Sequence, residues 1–371
     1  MKSKNTTEIN RFILWWEPVI GDKEKKLILK ALDNNYPNEG ELATKFEKII
    51  AEFVGTKYAI AVTSGTVAMF LSLKACGIGP NDEVIVPDLT FIATANAVDM
   101  CGATPVLVDI KSETLNIDPN AIEKAITEKT KAIMPVHVTG RPSDMTAVID
   151  IADRHNLFVI EDAAEAFMSK YNSKYLGTFG TTGCFSFSPN KIITTGQGGI
   201  IVTDDDKIHQ RLRELKDQGR PVRGTGGDDI HYSRGYNFKF TNLQAALGLG
   251  QVSYLDERTK RLKKTHEIYE EHLKGVDAIQ VLPFNIGGGE LPLWTDVLVE
   301  NRDELVDYLK AKNIDCRKFW HPLHTQKPYE SSNARFSIAT ELAPKALWLP
   351  SAFTMDDEDI YYIIDMIRKF F

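Results

Sequence analysis

Short apolar runs alternate with helix-like segments through the middle of the chain, and this alternation limits the fold more than any other feature. The runs fall near residues 58–62, 83–86, 105–108, 131–136, 157–161, 183–187 and 199–203. Between most of them the spacing predicts helices. One covers 67–76 and is closed by Gly77, one is opened by Asp118-Pro119 and reaches Ile126, and one is capped by Ser143 and runs through Arg154. Near-continuous apolar strands separated by helices imply a mostly parallel sheet covered on both faces. Such sheets bind ligands outside the carboxyl ends of their strands.

The flanks are more helical. Helices are expected at 22–32 and at 41–54, the latter with Leu42, Phe46, Ile49, Ile50 and Phe53 on one face. Beyond Asp206, helices are expected at 207–217, from 241 through 258 and on to about Gly275, at 302–312 and at 356–370. This predicts a large domain with an N-terminal tail over 1–251 and a smaller α/β domain over 252–371. Residues 1–14 read as a loose tail, and 219–234, rich in Gly, Arg and Asp, as a mobile loop. The Trp15-Trp16 pair suits a subunit contact, a site wall, or packing on the main domain.

Composition excludes several classes. A net charge of −7 over 371 residues argues against a general nucleic-acid binder. The four cysteines are widely spaced without a CxxC pair, which suits a reducing compartment and neither a zinc site nor a disulfide framework. Met1 to Arg11 is polar and lacks the apolar core of a signal peptide, and no run is long enough to span a bilayer. A cytoplasmic protein without a membrane partner is expected.

Three post-strand stretches carry chemistry. After the 183–187 run, Ser188-Pro189-Asn190-Lys191 presents a lysine ahead of Gly196-Gln197-Gly198-Gly199. A desolvated amine titrates more easily, and its neutral form can make a Schiff base with a carbonyl. A lone lysine in a turn is ordinarily a surface residue. Leu157-Phe158-Val159-Ile160 runs into Glu161-Asp162-Ala163-Ala164-Glu165-Ala166, and Ala59-Ile60-Ala61-Val62 into Thr63-Ser64-Gly65-Thr66. An amine for an aldehyde, a carboxylate for a ring nitrogen and amides for a phosphate together meet the demands of pyridoxal 5'-phosphate.

On these motifs the chain resembles the DegT/DnrJ/EryC1/StrS family of pyridoxal-phosphate-dependent sugar aminotransferases, and within it the perosamine synthases. The resemblance implies an aspartate-aminotransferase-like, fold type I architecture with a seven-stranded sheet domain and a smaller C-terminal α/β domain. It implies that Lys191 holds the cofactor and relays the proton. Asp162 would pair with the pyridine nitrogen, Glu165 would lie near the ring, and Phe91 would stack on it. Gly65, Thr66 and Ser186 would bind its phosphate. The bland alternatives are a helix N-cap for Asp162, a capping carboxylate for Glu165 and, without the resemblance, core for Phe91.

The segment Gly235-Tyr236-Asn237 matches one whose asparagine reaches the phosphate in a neighbouring subunit, so a homodimer with active sites at the interface is implied. The family often has arginine where this chain has Lys239, and lysine cannot supply a forked contact. Trp320-His321-Pro322-Leu323-His324 resembles a sugar-pocket segment, which makes His324 a candidate substrate contact, with Tyr36 of the 34–40 loop as a second. The segment 137–142 and that loop differ from the perosamine synthases, where sugar specificity could be set. The implied reaction moves the amino group of L-glutamate to a nucleotide-linked keto-deoxysugar, favourably a 4-keto-6-deoxyhexose, for surface polysaccharide or glycoside synthesis. Three alternatives stand beside this reading. A cofactor-dependent sugar dehydratase of the same fold is disfavoured by Lys191. A nicotinamide dehydrogenase is disfavoured by the lack of GxGxxG after the first strand. A non-catalytic regulatory protein is disfavoured by the retention of Lys191, Asp162 and Ser186.

Overall fold

A computed structural model describes residues 11–221, 230–332 and 335–371. The strands of the first unit are β1 (Tyr58–Val62), β2 (Glu83–Pro87), β3 (Thr104–Val108), β4 (Thr130–Ile133) and β5 (Phe158–Asp162). A small hairpin of β6 (Lys170–Tyr171) and β7 (Lys174–Tyr175) precedes β8 (Thr182–Ser186) and β9 (Gly199–Thr203). Seven of them form one sheet in the order β1-β9-β8-β5-β4-β2-β3. The pairs from β8 to β3 are parallel, and β9 runs antiparallel to both β8 and β1. The expected mostly parallel seven-stranded sheet is therefore present.

Alternation along the strands divides the core between the two faces. Ile60, Val62, Val84 and Val86 pack into one apolar cluster, while Ala59, Ala61 and Ile85 face the other. Each buried Val or Ile contributes about 1.5–3 kcal/mol relative to exposure. The helix Gly65–Ala75 is buried almost all round, against this sheet. Its N-cap is Ser64, whose hydroxyl accepts the Val67 N–H at 3.2 Å. The β1–β9 register sets Val62 opposite Gly199. A side chain on Gly199 would come within 2.3 Å of the Ser64 carbonyl oxygen, so only glycine lets β9 begin beside that helix start.

The C-terminal unit is a four-stranded antiparallel sheet. Its strands β10 (Ile279–Val281), β11 (Thr295–Val299), β12 (Arg317–Lys318) and β13 (Ala346–Leu349) lie in the order β10-β11-β13-β12. The helices Leu255–Leu273, Arg302–Lys310 and Asp357–Phe370 share its apolar cluster.

Some local expectations are corrected. Residues 11–14 are not loose, because Ile13 is buried against the C-terminal unit and exchanges backbone hydrogen bonds with Asn313 and Asp315, each 2.8 Å. The helix expected from 241 to about 275 is two helices, Asn242–Val252 and Leu255–Leu273. At the break, the Ser253 hydroxyl donates back to the Gly250 carbonyl at 2.7 Å, a local bond that competes with helix propagation. Asp144, not Ser143, caps Met145–His155, while the Ser143 hydroxyl donates to Val136 O. Strand β4 stops at Ile133 because Pro135 has no N–H to give the ladder. Of the segment 219–234, residues 222–229 lie outside the described residues. Among the described residues, no helix is long and apolar enough to cross a membrane.

Candidate active site

The carboxyl ends of β1, β2, β5 and β8 open onto one cleft of about 310 Å³. Gly65, Thr66, Phe91, Asp162, Glu165, Ser186 and Lys191 all line it. Strand termini thus gather residues more than a hundred positions apart in the chain, as the topology of an open α/β sheet requires.

Lys191 sits in a turn held from three sides. Its own N–H reaches the Ser188 carbonyl at 3.1 Å. The Trp16 indole donates to Pro189 O at 3.0 Å, and Arg258 donates to Ile192 O at 2.7 Å. Trp16 therefore packs inside the protein and braces the lysine turn. The Lys191 side chain is 11% exposed, with its amine 3.1 Å from Glu165 Oε1 and 5.0 Å from the centre of the Trp294 ring. The other oxygen of Glu165 accepts the N–H of Thr139 at 3.1 Å.

Asp162 ends β5 at the floor of the cleft. It accepts the Thr94 hydroxyl at 2.7 Å and the Ala164 N–H at 3.2 Å. Burial pushes its carboxyl above the usual range, against these two hydrogen bonds, and neighbouring Glu165 pushes the same way while Lys191 opposes. A cationic ring nitrogen against Asp162 would offset that desolvation. Ser186 lies beside the Gly65–Thr66 helix start, where a side chain on Gly65 would come within 3.0 Å of its Cβ. The amides of a first helical turn attract anions. Phe91 is 53% exposed although it follows a buried strand, so its face is free for a planar ring. An amine, a buried carboxylate, an exposed phenyl face and a helix start with an adjoining serine fit pyridoxal phosphate.

Two predicted residues lie elsewhere on the same chain. Asn237 and Tyr36 line a second, larger cleft of about 1080 Å³, together with Asn38, Asp217 and Lys239. Its loop is tied down where the Lys216 amine meets Glu39 at 2.6 Å. Among the described residues, the Lys239 amine contacts Asp217 Oδ1 at 2.8 Å.

His324 is not brought to the first cleft. It is fully buried, its Nδ1 2.6 Å from Asp88 Oδ2, and its ring stacks on Phe336. The 137–142 segment is likewise interior. His137 pairs with buried Glu161 at 3.0 Å, and Arg141 pairs with buried Asp296 at 2.9 Å. These side chains support the fold rather than line the cleft.

Sequence reasoning missed the far wall, built by Trp294, Arg317 and Trp348 of the C-terminal unit, with Gln197 and Ser188 at the lysine turn. A tryptophan beside a strand reads as core, and a lone arginine in a short strand carries no motif. Tertiary proximity alone reveals them.

This geometry defines a class: an aspartate-aminotransferase-like, fold type I enzyme that depends on pyridoxal phosphate. The chain belongs to the DegT/DnrJ/EryC1/StrS aminotransferase family, whose profile matches residues 18–368. It is 39% identical to the GDP-perosamine synthase of Escherichia coli O157:H7 over 365 residues, 97% of this chain and 99% of that one. Against the GDP-perosamine synthase of Caulobacter vibrioides it is 39% identical over 355 residues, 94% and 95% of the two chains. The solved structure of S. venezuelae DesV superposes with a TM-score of 0.89 at 33% identity, covering 94% of each chain. At the level of the family, the protein is a pyridoxal-phosphate-dependent, aminotransferase-like enzyme.

Proposed function

We propose that the protein transfers the amino group of L-glutamate to the keto carbon of a nucleotide-linked 4-keto-6-deoxyhexose, as a perosamine synthase does. The observation that supports this best is the placement of the Lys191 amine, the Asp162 carboxylate and the Gly65–Thr66 helix start around one cleft. Names of relatives 39% identical over nearly the whole chain point to the same acceptor class.

When bound, pyridoxal phosphate supplies an aldehyde to carry the amino group and a ring to accept electrons. The protein's own groups do the rest. With the cofactor bound, Lys191 would hold its aldehyde, and the lysine amine would be placed to move a proton between the donor's α-carbon and the cofactor's C4′. Glu165 holds the lysine amine in line through its 3.1 Å contact. Asp162 keeps a proton on the ring nitrogen, and burial strengthens that interaction. The helix start and Ser186 bind the phosphate, and Phe91 covers the ring. Asn237, exposed in the second cleft, serves the phosphate of a second copy in a homodimer, with Tyr36 at the same junction.

The test is a visible absorption titration of the protein loaded with pyridoxal phosphate. Glutamate should bleach the band of the lysine-bound cofactor, and one member of a panel of nucleotide keto-sugars should restore it. Lys191→Ala should show neither change. A cofactor band that glutamate leaves untouched would overturn the donor assignment.

A further inference from the structure

The turn that presents Lys191 is tied to a buried polar hub outside the cleft. Gln251, near the end of the helix Asn242–Val252, and Arg258, near the start of the helix Leu255–Leu273, meet across the break at Ser253. Arg258 Nη1 donates to Ile192 O at 2.7 Å and to Gln251 Oε1 at 2.6 Å, and Nη2 donates to Val19 O at 3.0 Å. Gln251 Oε1 also accepts the Thr194 N–H at 3.3 Å, while its amide nitrogen donates to Val19 O at 2.9 Å and to Glu24. Both acceptor sites and both donors of that amide are used, which fixes its orientation. Glu24 turns its other oxygen to the Gly21 N–H at 3.0 Å. Arg258, Gln251 and Glu24 are all buried.

Taking a guanidinium out of water costs free energy that packing alone would not require. Among the described residues, the Arg258 hydrogen bonds go to two backbone carbonyls and one amide oxygen, not to a carboxylate. Its guanidinium carbon lies 5.0 Å from the centre of the Phe353 ring and 5.4 Å from that of Tyr254. A charged donor makes stronger hydrogen bonds than a neutral one, and here they run from the N-terminal segment to the residue beside the lysine. A lysine bonded to a cofactor has its amine fixed by that bond. A lysine that carries a proton between two carbons has only the protein to fix it, and a misplacement of about 1 Å can cost on the order of 10²-fold in rate. The turn's backbone is fastened at Pro189 by Trp16, at Ile192 by Arg258 and at Thr194 by Gln251. Trp16 and Val19 both belong to the N-terminal segment, so that segment and the lysine turn form one bonded unit.

We propose that Arg258 is a positioning residue for Lys191. Acting through the Ile192 carbonyl and together with Gln251, it locks the lysine turn to the N-terminal segment and holds the amine in place for proton transfer. The part in proton transfer rests on the aminotransferase reading above, and the lock itself does not.

Two measurements on Arg258→Gln and Arg258→Lys test this. Backbone hydrogen exchange, followed by mass spectrometry on the full chain loaded with pyridoxal phosphate, reads the lock without any turnover. Arg258→Gln should speed exchange in the peptides covering 187–198 and 16–24 by about tenfold and leave the sheet of β10 to β13 as in the parent. Arg258→Lys, which keeps the charge and loses the fork, should fall between. Single-turnover absorbance with glutamate reads the consequence. The limiting rate of Arg258→Gln should fall by about tenfold to 10²-fold, with part of it recovered in Arg258→Lys. The glutamate concentration that gives half the limiting rate should stay within about twofold of the parent, because Arg258 does not line the cleft. Urea unfolding shows whether each variant keeps its fold, and if Arg258→Gln does not, Arg258→Lys decides by the same two readings. Unchanged exchange in both peptides would overturn the lock. Faster exchange with an unchanged rate, or a raised half-saturating glutamate with the rate intact, would overturn the positioning role. No spectral response to glutamate from the unsubstituted protein would defeat the aminotransferase reading and the part in proton transfer with it, while the exchange result would still decide the lock.

Discussion

Glu165 divides its carboxylate between Lys191 and Thr139, one oxygen 3.1 Å from the lysine amine and the other accepting the threonine N–H at 3.1 Å. Thr139 is buried with φ 54° and ψ 19°, a left-handed conformation that is a true outlier for a β-branched residue and costs about 1–2 kcal/mol. Its surroundings enforce it. The Thr139 carbonyl accepts from Leu293 N at 2.8 Å, and its hydroxyl donates to Asp296 at 2.5 Å. Asp296 is in turn held by Arg141. The strain aims the N–H at Glu165, and the hydroxyl bond offsets its cost.

Thr139→Val should therefore destabilise the protein by about 1–3 kcal/mol, since it keeps the branched shape and deletes the hydroxyl bond. Thr139→Ser, which keeps the hydroxyl without the second branch, should stay within about 0.5 kcal/mol of the parent. Urea unfolding of the two variants checks this. Equal losses would mean that the hydroxyl does not hold the turn.

His324 gives a prediction that separates structure from substrate contact. Asp88 accepts both the His324 backbone N–H at 2.8 Å and the ring nitrogen at 2.6 Å, which fastens the 322–325 turn to the loop that carries Phe91. Burial raises the Asp88 carboxyl above its usual range, and the His324 contacts oppose that rise. His324→Ala keeps the backbone N–H on Asp88 Oδ1 but leaves the buried Oδ2 without its ring partner, and should cost about 1–3 kcal/mol in unfolding free energy. A residue that merely touched the sugar would raise KM and leave the unfolding curve where it was.

The contrast between His324 and Lys191 shows what the sequence makes legible. Strand ends are readable because apolar runs stop abruptly, and an α/β sheet sends those ends to one crevice. That logic placed Gly65, Asp162, Ser186 and Lys191 together. Side chains from the other unit reach the site through domain packing, which no local pattern records. Trp294, Arg317 and Trp348 were invisible for that reason, and His324 was read outward when its ring turns inward to Asp88. The helix break at Ser253 and the docking of Ile13 depend on similarly non-local or fine-scale bonds.

Asp162 should separate cofactor binding from chemistry. Asp162→Asn keeps an acceptor for Thr94 and a polar group of the same size, and Lys191, the helix start and Ser186 remain to hold the cofactor. Without the anion, the ring nitrogen loses the charge that keeps it protonated. The glutamate half-reaction should slow by on the order of 10²-fold or more, while the cofactor band still forms. Single-turnover absorbance measurements would read both quantities. A variant as fast as the parent would remove Asp162 from the chemistry.

His266 should govern part of the acid limb of stability. It is fully buried, meets Phe284 edge-on at 5.0 Å, and neither ring nitrogen has a partner among the described residues. Burial, with Arg141 nearby, lowers its pKa from 6.5 to about 4. Above the unfolded value the ring is neutral in both states and contributes no pH dependence. As pH falls below it, the unfolded chain takes the proton and the folded one refuses it until about 4, so stability declines through that window. Glu47, held down to about 2 although burial pushes it up, because Lys216 and Arg213 outweigh that push, adds its own loss only below the ordinary glutamate range. His209, whose pKa burial also lowers, contributes alike to parent and variant, so the difference between the two proteins from pH 7 to pH 5 isolates His266. His266→Leu should lose less stability than the parent over that interval, by about 2 kcal/mol at pH 5, as read by urea unfolding at each pH. Parallel curves for the two proteins would mean that the folded state accommodates the His266 proton, and that its burial is not what sets the acid limb.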